Sequence, residues 1–458
     1  MLARISVVLL AIILLVSVVE YVWDLTPLEQ VGRAFEDSAE SAGDRTVIRL
    51  GIASWQLGEF PWEETIRQYE QANPDVRIRM SSLPEGSFNT MQAFWRYGHT
   101  PYDVVVAWAD EEIHPFIHYR WSSPDPAKRS LLIDVRDALG PERFGTLMPG
   151  LCVGSSRVDP SDPAGKRKLY YEIPWMGEVL ALNYNKRHFA AAGIERAPRT
   201  WAEVEEACKK LKGVKVDGKE IAPMAMNFSQ SIFFAQNCYL PMLAAFKQGG
   251  GVADAQGRLD VSSPEAARVL ETLKRWYDAG YISPNCMVNE AVEMDLKVRR
   301  AAMFPHWQSR GLEAMRDPGG EVIDVKPTPG SAGTLVSTYG SIIPKCSPVI
   351  DEAVKFAYEA FSTDEFGFQT AVAKAGKLPS MKALYAQKAE RPDLPRIVLD
   401  LESSLEGSYF FPDLANWSQC ATILVVEFQR YLNGEHPTAE AALQTVQSRF
   451  AQEVYREG

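Results

Sequence analysis

Two periods of apolar residues alternate along this chain. Val47-Ile48-Arg49-Leu50-Gly51-Ile52 alternates as a strand does. Pro61 then fits a first helical turn, Trp62, Ile66 and Tyr69 are spaced for one buried face, and Asn73-Pro74 stops the helix. Val76 to Met80 alternates again. Strand, helix and strand in so short a span predict a βαβ unit and a parallel sheet. Asp103 to Ala107 has the composition of a fully buried central strand and ends in Trp108, Asp110 and Glu111. Ligands of open α/β sheets sit outside such carboxyl ends, so a ring and an acid here are candidate ligand contacts; capping of the next helix is the alternative role for the acids.

Tyr170 to Lys186 reads YYEIPWMGEVLALNYNK. Its apolar density is that of a strand, but Pro174 and Gly177 interrupt it, which predicts a change of backbone direction near Trp175 and Glu178 and a closing turn at Asn183-Tyr184-Asn185. An unpaired buried carboxylate costs several kcal/mol, so Glu178 is expected to have a polar partner or to face a wet cleft. Beyond it, Thr200-Trp201-Ala202-Glu203 is a capping box, and Ser263-Pro264 starts another capped helix. Ala301 to Phe304 is a short strand leading to Pro305-His306-Trp307, and Leu335 to Ile343 is another that holds Tyr339-Gly340. Ser347-Pro348 is expected to cap a helix, Trp417 to open one, and a last amphipathic helix to run from about Thr438 to Val454.

The first residues have a different character. Arg4 precedes the apolar run Ile5 to Val19, with Tyr21, Val22 and Trp23 beyond it and Asp24 and Glu29 after that. The charge order puts the N-terminus in the cytoplasm and the rest outside. Residues 1–23 read as an uncleaved transmembrane signal anchor, with a removed signal peptide as the alternative, and 24–45 as a polar tether. Across 458 residues two or three lobes are expected. A net charge of -11 without any Lys/Arg run argues against a nucleic-acid surface. Six scattered cysteines lack metal-ligand spacing, and a Cys238–Cys286 bridge is left open. No Ser-His-Asp set, P-loop or glycine-rich dinucleotide loop supports catalysis, and no cofactor is expected.

Several segments, taken in order, carry a resemblance: LGIASWQL, YDVVVAWADE, IPWMGEVLALNYNKRHFAAAGIERAPRTWAEVEEACKKL, AAMFPHW, TYGSIIPKCSP and GKLPSMKALY. Together the chain resembles the extracellular solute-binding proteins of ABC importers, in the sugar-binding group that includes maltose-binding protein. The resemblance implies an α/β, two-lobed periplasmic-binding-protein type II fold with crossing hinge strands. Lobe one would be 46–175 with 340–395, and lobe two 176–339 with 396–458. It implies a sugar or oligosaccharide in the cleft, an ABC permease as membrane partner, a monomer on the outer side of the membrane, and no chemistry. By matching positions, Glu178 resembles the hinge carboxylate, Trp108 with Asp110 or Glu111 a ring-and-acid pair, and Trp307 and Trp417 stacking platforms. Trp55, Trp175 and Tyr339 would complete the site, with Phe233 and Phe234 as an aromatic wall. A polyol phosphate or another small solute in the same fold remains open, as does an exported glycoside hydrolase that uses Glu111 and Glu178.

Overall fold

The computed structural model describes residues 45–455, apart from 85–86, 109–111, 118–129, 160–161, 163, 165, 249–250, 255–257, 317–322, 331–333, 406–407, 410 and 412–416. The expected anchor and tether at 1–44 lie outside the described residues; among these, no helix is long and apolar enough to cross a membrane.

One nine-stranded mixed sheet organises the molecule. Its strands are β1 (Thr46–Ala53), β2 (Val76–Leu83), β3 (Val104–Trp108), β4 (Ile173–Asn185), β5 (Ala222–Met224), β6 (Ala301–Trp307), β7 (Ile323–Pro327), β8 (Val336–Ile342) and β9 (Leu378–Pro379). The order along the sheet is β2-β1-β3-β8-β4-β6-β5, and β7 and β9 also pair with β4. β1 pairs in parallel with both β2 and β3. Between β1 and β2 the crossover is helix α1 (Trp62–Ala72), which buries Trp62, Ile66 and Tyr69. The βαβ unit predicted from periodicity is therefore present.

β4 and β8 are the strands that cross the molecule. Leu180, Leu182 and Tyr184 of β4 pack in one core with Trp201, Phe234, Trp276 and Phe428. Ile173, Trp175 and Met176, at the other end of the same strand, pack in a second core with Ile48, Leu50, Trp62, Val104 and Phe361. β8 divides in the same way, Leu335 just before it lying in the first cluster and Tyr339 in the second. A third cluster, including Val179, Val336, Leu378 and Leu399, fills the space beside the crossing.

The expected break at Pro174 and Gly177 takes another form. β4 is one continuous strand of 13 buried residues. Tyr339 opposes Met176 while Gly340 opposes Pro174, so Trp175 is an extra residue and the strand carries a bulge. Pro174, which has no N–H to give the ladder, is tolerated at such a bulge. Nor is there a turn at Asn183–Asn185: the strand runs on, and the Asn185 side chain accepts from the N–H groups of Arg187 and His188 to start the helix Lys186–Ala191.

Thr200 caps helix α2 (Trp201–Leu211) through the Glu203 N–H at 3.1 Å, and Ser263 caps α3 (Pro264–Asp278) through the Ala266 N–H at 3.2 Å, as predicted. Helix α4 (Gln308–Arg316) follows β6 directly. Ser347 is not the cap expected of it: its hydroxyl donates to Asp103 Oδ1 at 2.8 Å, and the helix Ile350–Ala357 starts after Val349 without a side-chain cap. Trp417 opens the helix Trp417–Leu432, and the helix Ala439–Arg449 ends in a π turn through Val454. All six cysteines, Cys238 and Cys286 among them, are free thiols.

Candidate functional site

The strand ends converge on a cavity of about 980 Å³, at the upper end of the range for small-molecule sites. Elements packed on both main cores line it. From the β1–β3 side come Ser54, Glu59, Phe88, Trp108 and Glu112; from the β6 side come Phe233, Gln236, His306, Trp307 and Arg310; Glu178, Tyr339 and Lys377 stand at the crossing.

Trp108 is the last residue of β3, and Tyr339 is its direct partner on β8. Register therefore places the two rings side by side, with centroids 6.1 Å apart and planes 9° from parallel. The Trp108 indole N–H donates to the Ser337 hydroxyl, which satisfies its polar edge. The backbone N–H of Trp108 donates to Glu112 Oε2 at 2.7 Å. Glu112 is the acid that the structure describes beside this ring; Asp110 and Glu111 lie outside the described residues. On the opposite wall Trp307, at the end of β6, is 8% exposed and borders the cavity.

Glu178 does have the polar partners that its burial requires. Its Oε1 accepts from the Ser309 hydroxyl and lies 3.1 Å from Lys377 Nζ. Lys377 Nζ is also 3.3 Å from Glu59 Oε1. Burial by itself would lower the Lys377 pKa, but the charges of Glu178 and Glu59 outweigh it and the net shift is upward, so the ammonium stays charged. Arg310 follows the same logic: burial opposes its charge, Glu313 and Glu293 restore it, and its pKa is raised, with Nη1 3.2 Å from Glu313 Oε2. His306 is the opposite case. Burial, reinforced by the charges of Arg310 and Lys377, lowers its pKa to about 3 and keeps it neutral.

Two expected contacts are elsewhere. Trp175 is fully buried, with the edges of Phe60, Trp62 and Phe368 against it, because the bulge turns it into the core under α1. Trp417 is 1% exposed and sits behind Phe411, whose ring lies 5.4 Å away and separates it from Trp108 and Trp307. Both rings do structural work. The backbone of Trp55 falls in a 3-10 turn, Ser54–Gln56, between two stretches that border the cavity, but its side chain lies outside the described residues. Phe233 borders the cavity, while Phe234 points into the core.

Sequence reasoning missed Glu59, Lys377, Gln236, His306 and Arg310. Lys377 stands inside GKLPSMKALY, a stretch matched as a whole without a role for its lysine, and it lies 199 positions from Glu178 (377 minus 178). His306 stands inside AAMFPHW, where only the tryptophan drew notice. Among the described residues no group of three or more His, Cys, Asp or Glu could hold a metal ion.

A family model described as "Bacterial extracellular solute-binding protein" matches residues 57–365. Among solved structures, maltose-bound MalE3 of T. maritima is 19% identical and superposes with a TM-score of 0.67 over 88% of this chain and 98% of that one. The GacH receptor of Streptomyces glaucescens, studied unliganded and with acarbose, is 14% identical, with a TM-score of 0.66 over 90% and 99% of the two chains. A substrate-binding protein of Listeria monocytogenes in complex with cycloalternan is 18% identical, with a TM-score of 0.65 over 89% and 99%. A sequence search of curated proteins returns no match. These likenesses establish the two-lobed periplasmic-binding fold, and the family match covers most of the chain, the crossing strands and both walls of the cavity. The chain belongs to the bacterial extracellular solute-binding protein family.

Proposed function

We propose that this protein is the extracytoplasmic binding component of an ABC importer and that it holds a neutral, polyhydroxylated solute, a sugar or sugar oligomer, in the 980 Å³ cavity. One observation carries the reading: Trp108 stacked on Tyr339, Trp307 opposite, and the buried Glu178 with its partners all border the same space. A pyranose has an apolar face for such rings and a rim of hydroxyls for carboxylates and amides. Solved structures of the same fold hold maltose, α-D-tagatose, acarbose or ribitol.

The charges speak against a phosphorylated solute. Among the described residues, the two cations at the cavity, Lys377 and Arg310, are already engaged by carboxylates, and Glu112 adds a further negative group. A phosphate needs free Arg or Lys groups or a helix N-terminus. Hydrolysis has less support than binding, because Ser309 and Lys377 already hold the Glu178 carboxylate.

In this reading lobe one comprises 46–175 with 340–395 and lobe two 176–339 with 396–458. The division of β4 between two cores supports such a boundary near residue 176. Closing the lobes over a ligand excludes water and creates the state that a permease would recognise. Residues 1–23 would hold the protein, as a monomer, at the outer face of the membrane. Thermal-shift screening of residues 45–458 against neutral sugars and polyols tests the reading. A cognate sugar at a hundredfold its Kd stabilises by about 2.7 kcal/mol, and sugar phosphates have no effect. Uniform indifference to neutral sugars, or release of shorter products from an oligosaccharide, would sink it.

A further inference from the structure

Gln236 sits in a π-helical turn, Phe234–Tyr239, and is fully buried. It borders the cavity, and neither its amide oxygen nor its amide nitrogen has a hydrogen-bond partner among the described residues. Leaving both sides of a buried amide unmet is destabilising, and a leucine would fill the same space without that cost. π turns often occur at functional sites, where they re-aim one side chain.

His306 lies in the same wall. Its Nδ1 accepts from the Trp307 N–H at 2.8 Å, so the ring proton is on Nε2. That N–H has no hydrogen-bond partner among the described residues, and the Glu293 carboxylate stands 3.9 Å off. The wall thus holds one planar amide and one neutral N–H donor, both shielded from water in this conformation, and carries no charge at either.

We propose that Gln236 is a specificity-determining residue of the cavity, its amide reserved for a pair of neighbouring hydroxyls on the solute, with His306 Nε2 as the adjacent donor. The inference rests on the carbohydrate reading above. The chemistry selects the ligand class: an amide both accepts and donates in one plane, and a vicinal diol can answer both sides. A phosphate only accepts and an ammonium only donates, so either leaves half of the amide unmet.

The test compares wild-type protein with Q236L, and uses N237L as control. Asn237 is equally buried, also lacks partners among the described residues, and does not border the cavity. The probes are maltose, D-tagatose and ribitol. Q236L should melt at or above the wild-type temperature without ligand, yet bind the probe that stabilises wild type about tenfold more weakly. N237L should keep wild-type affinity. One monodeoxy analogue of that probe should lose about tenfold on wild type and nothing further on Q236L. A Q236L protein that melts several degrees lower and binds as tightly as wild type makes Gln236 a structural residue and overturns the inference alone. Wild-type protein indifferent to all three probes overturns the carbohydrate reading instead.

Discussion

Without the ammonium of Lys377, the buried carboxylate of Glu178 would keep Ser309 as its partner and no countercharge from this residue. K377M is therefore expected to cost about 3–5 kcal/mol of stability, read from denaturant unfolding, because breaking a buried pair strands the remaining charge. The tryptophans separate by what surrounds them. W175A removes a ring packed among four aromatic neighbours and should destabilise by about 3–5 kcal/mol. W108A removes a partly buried ring at the cavity and should instead cut sugar affinity about tenfold or more, with a smaller loss of stability. Titration calorimetry beside thermal melting distinguishes the two. Glu178 could be suspected from sequence because a lone carboxylate in an apolar strand needs an explanation. Lys377, which supplies it, carries no local signal: lysines are common, and this one matters for what lies across from it.

At the scale of the element, the close approach of β8 to β4 leaves no room for a side chain at Gly340. A Cβ at Gly340 would stand 2.5 Å from the Ile173 carbonyl oxygen, and backbone cannot step aside as a side-chain end can. G340A should destabilise the crossing by more than about 2 kcal/mol, as overpacking does, and lower the melting temperature by several degrees. Strands and capped helices were legible in the sequence wherever local chemistry decides them, as at Thr200 and Ser263. The stretch around Pro174 was legible as an irregularity and misread in form, since a bulge is defined by two strands and only one of them is local. Ser347 shows the same limit: its hydroxyl donates to Asp103, 244 residues away, and accepts from the Val349 N–H, while the helix begins only at Ile350.

At the scale of the whole molecule, acid should weaken the fold through its buried histidines. His188 and His306 are buried and neutral, their pKa values lowered from 6.5 to about 4 and about 3 mainly by desolvation. The folded state binds these protons later than the unfolded chain does, so the stability they contribute is complete above about pH 6.5. It falls as the pH drops toward 4 for His188 and toward 3 for His306. Melting temperature between pH 7 and pH 4 should decline, and H188Q should flatten part of that slope. Insensitivity over this range would mean that neither ring is shielded from water.

The sequence by itself determined the elements and their order, the parallel βαβ start, the family, and the presence of rings and acids at strand ends. Periodicity, caps and motif order are local properties of the chain, and they survive without knowledge of what packs on what. Only the tertiary structure decided which rings face the cavity and which face core. Trp108 and Trp175 look alike in sequence; strand register sends one to the cavity beside Tyr339, and a single extra residue sends the other into the aromatic core under α1. The charge balance of the site was decided there too, because an ion pair is set by distance in space, and folding alone brings residues 59, 178 and 377 together.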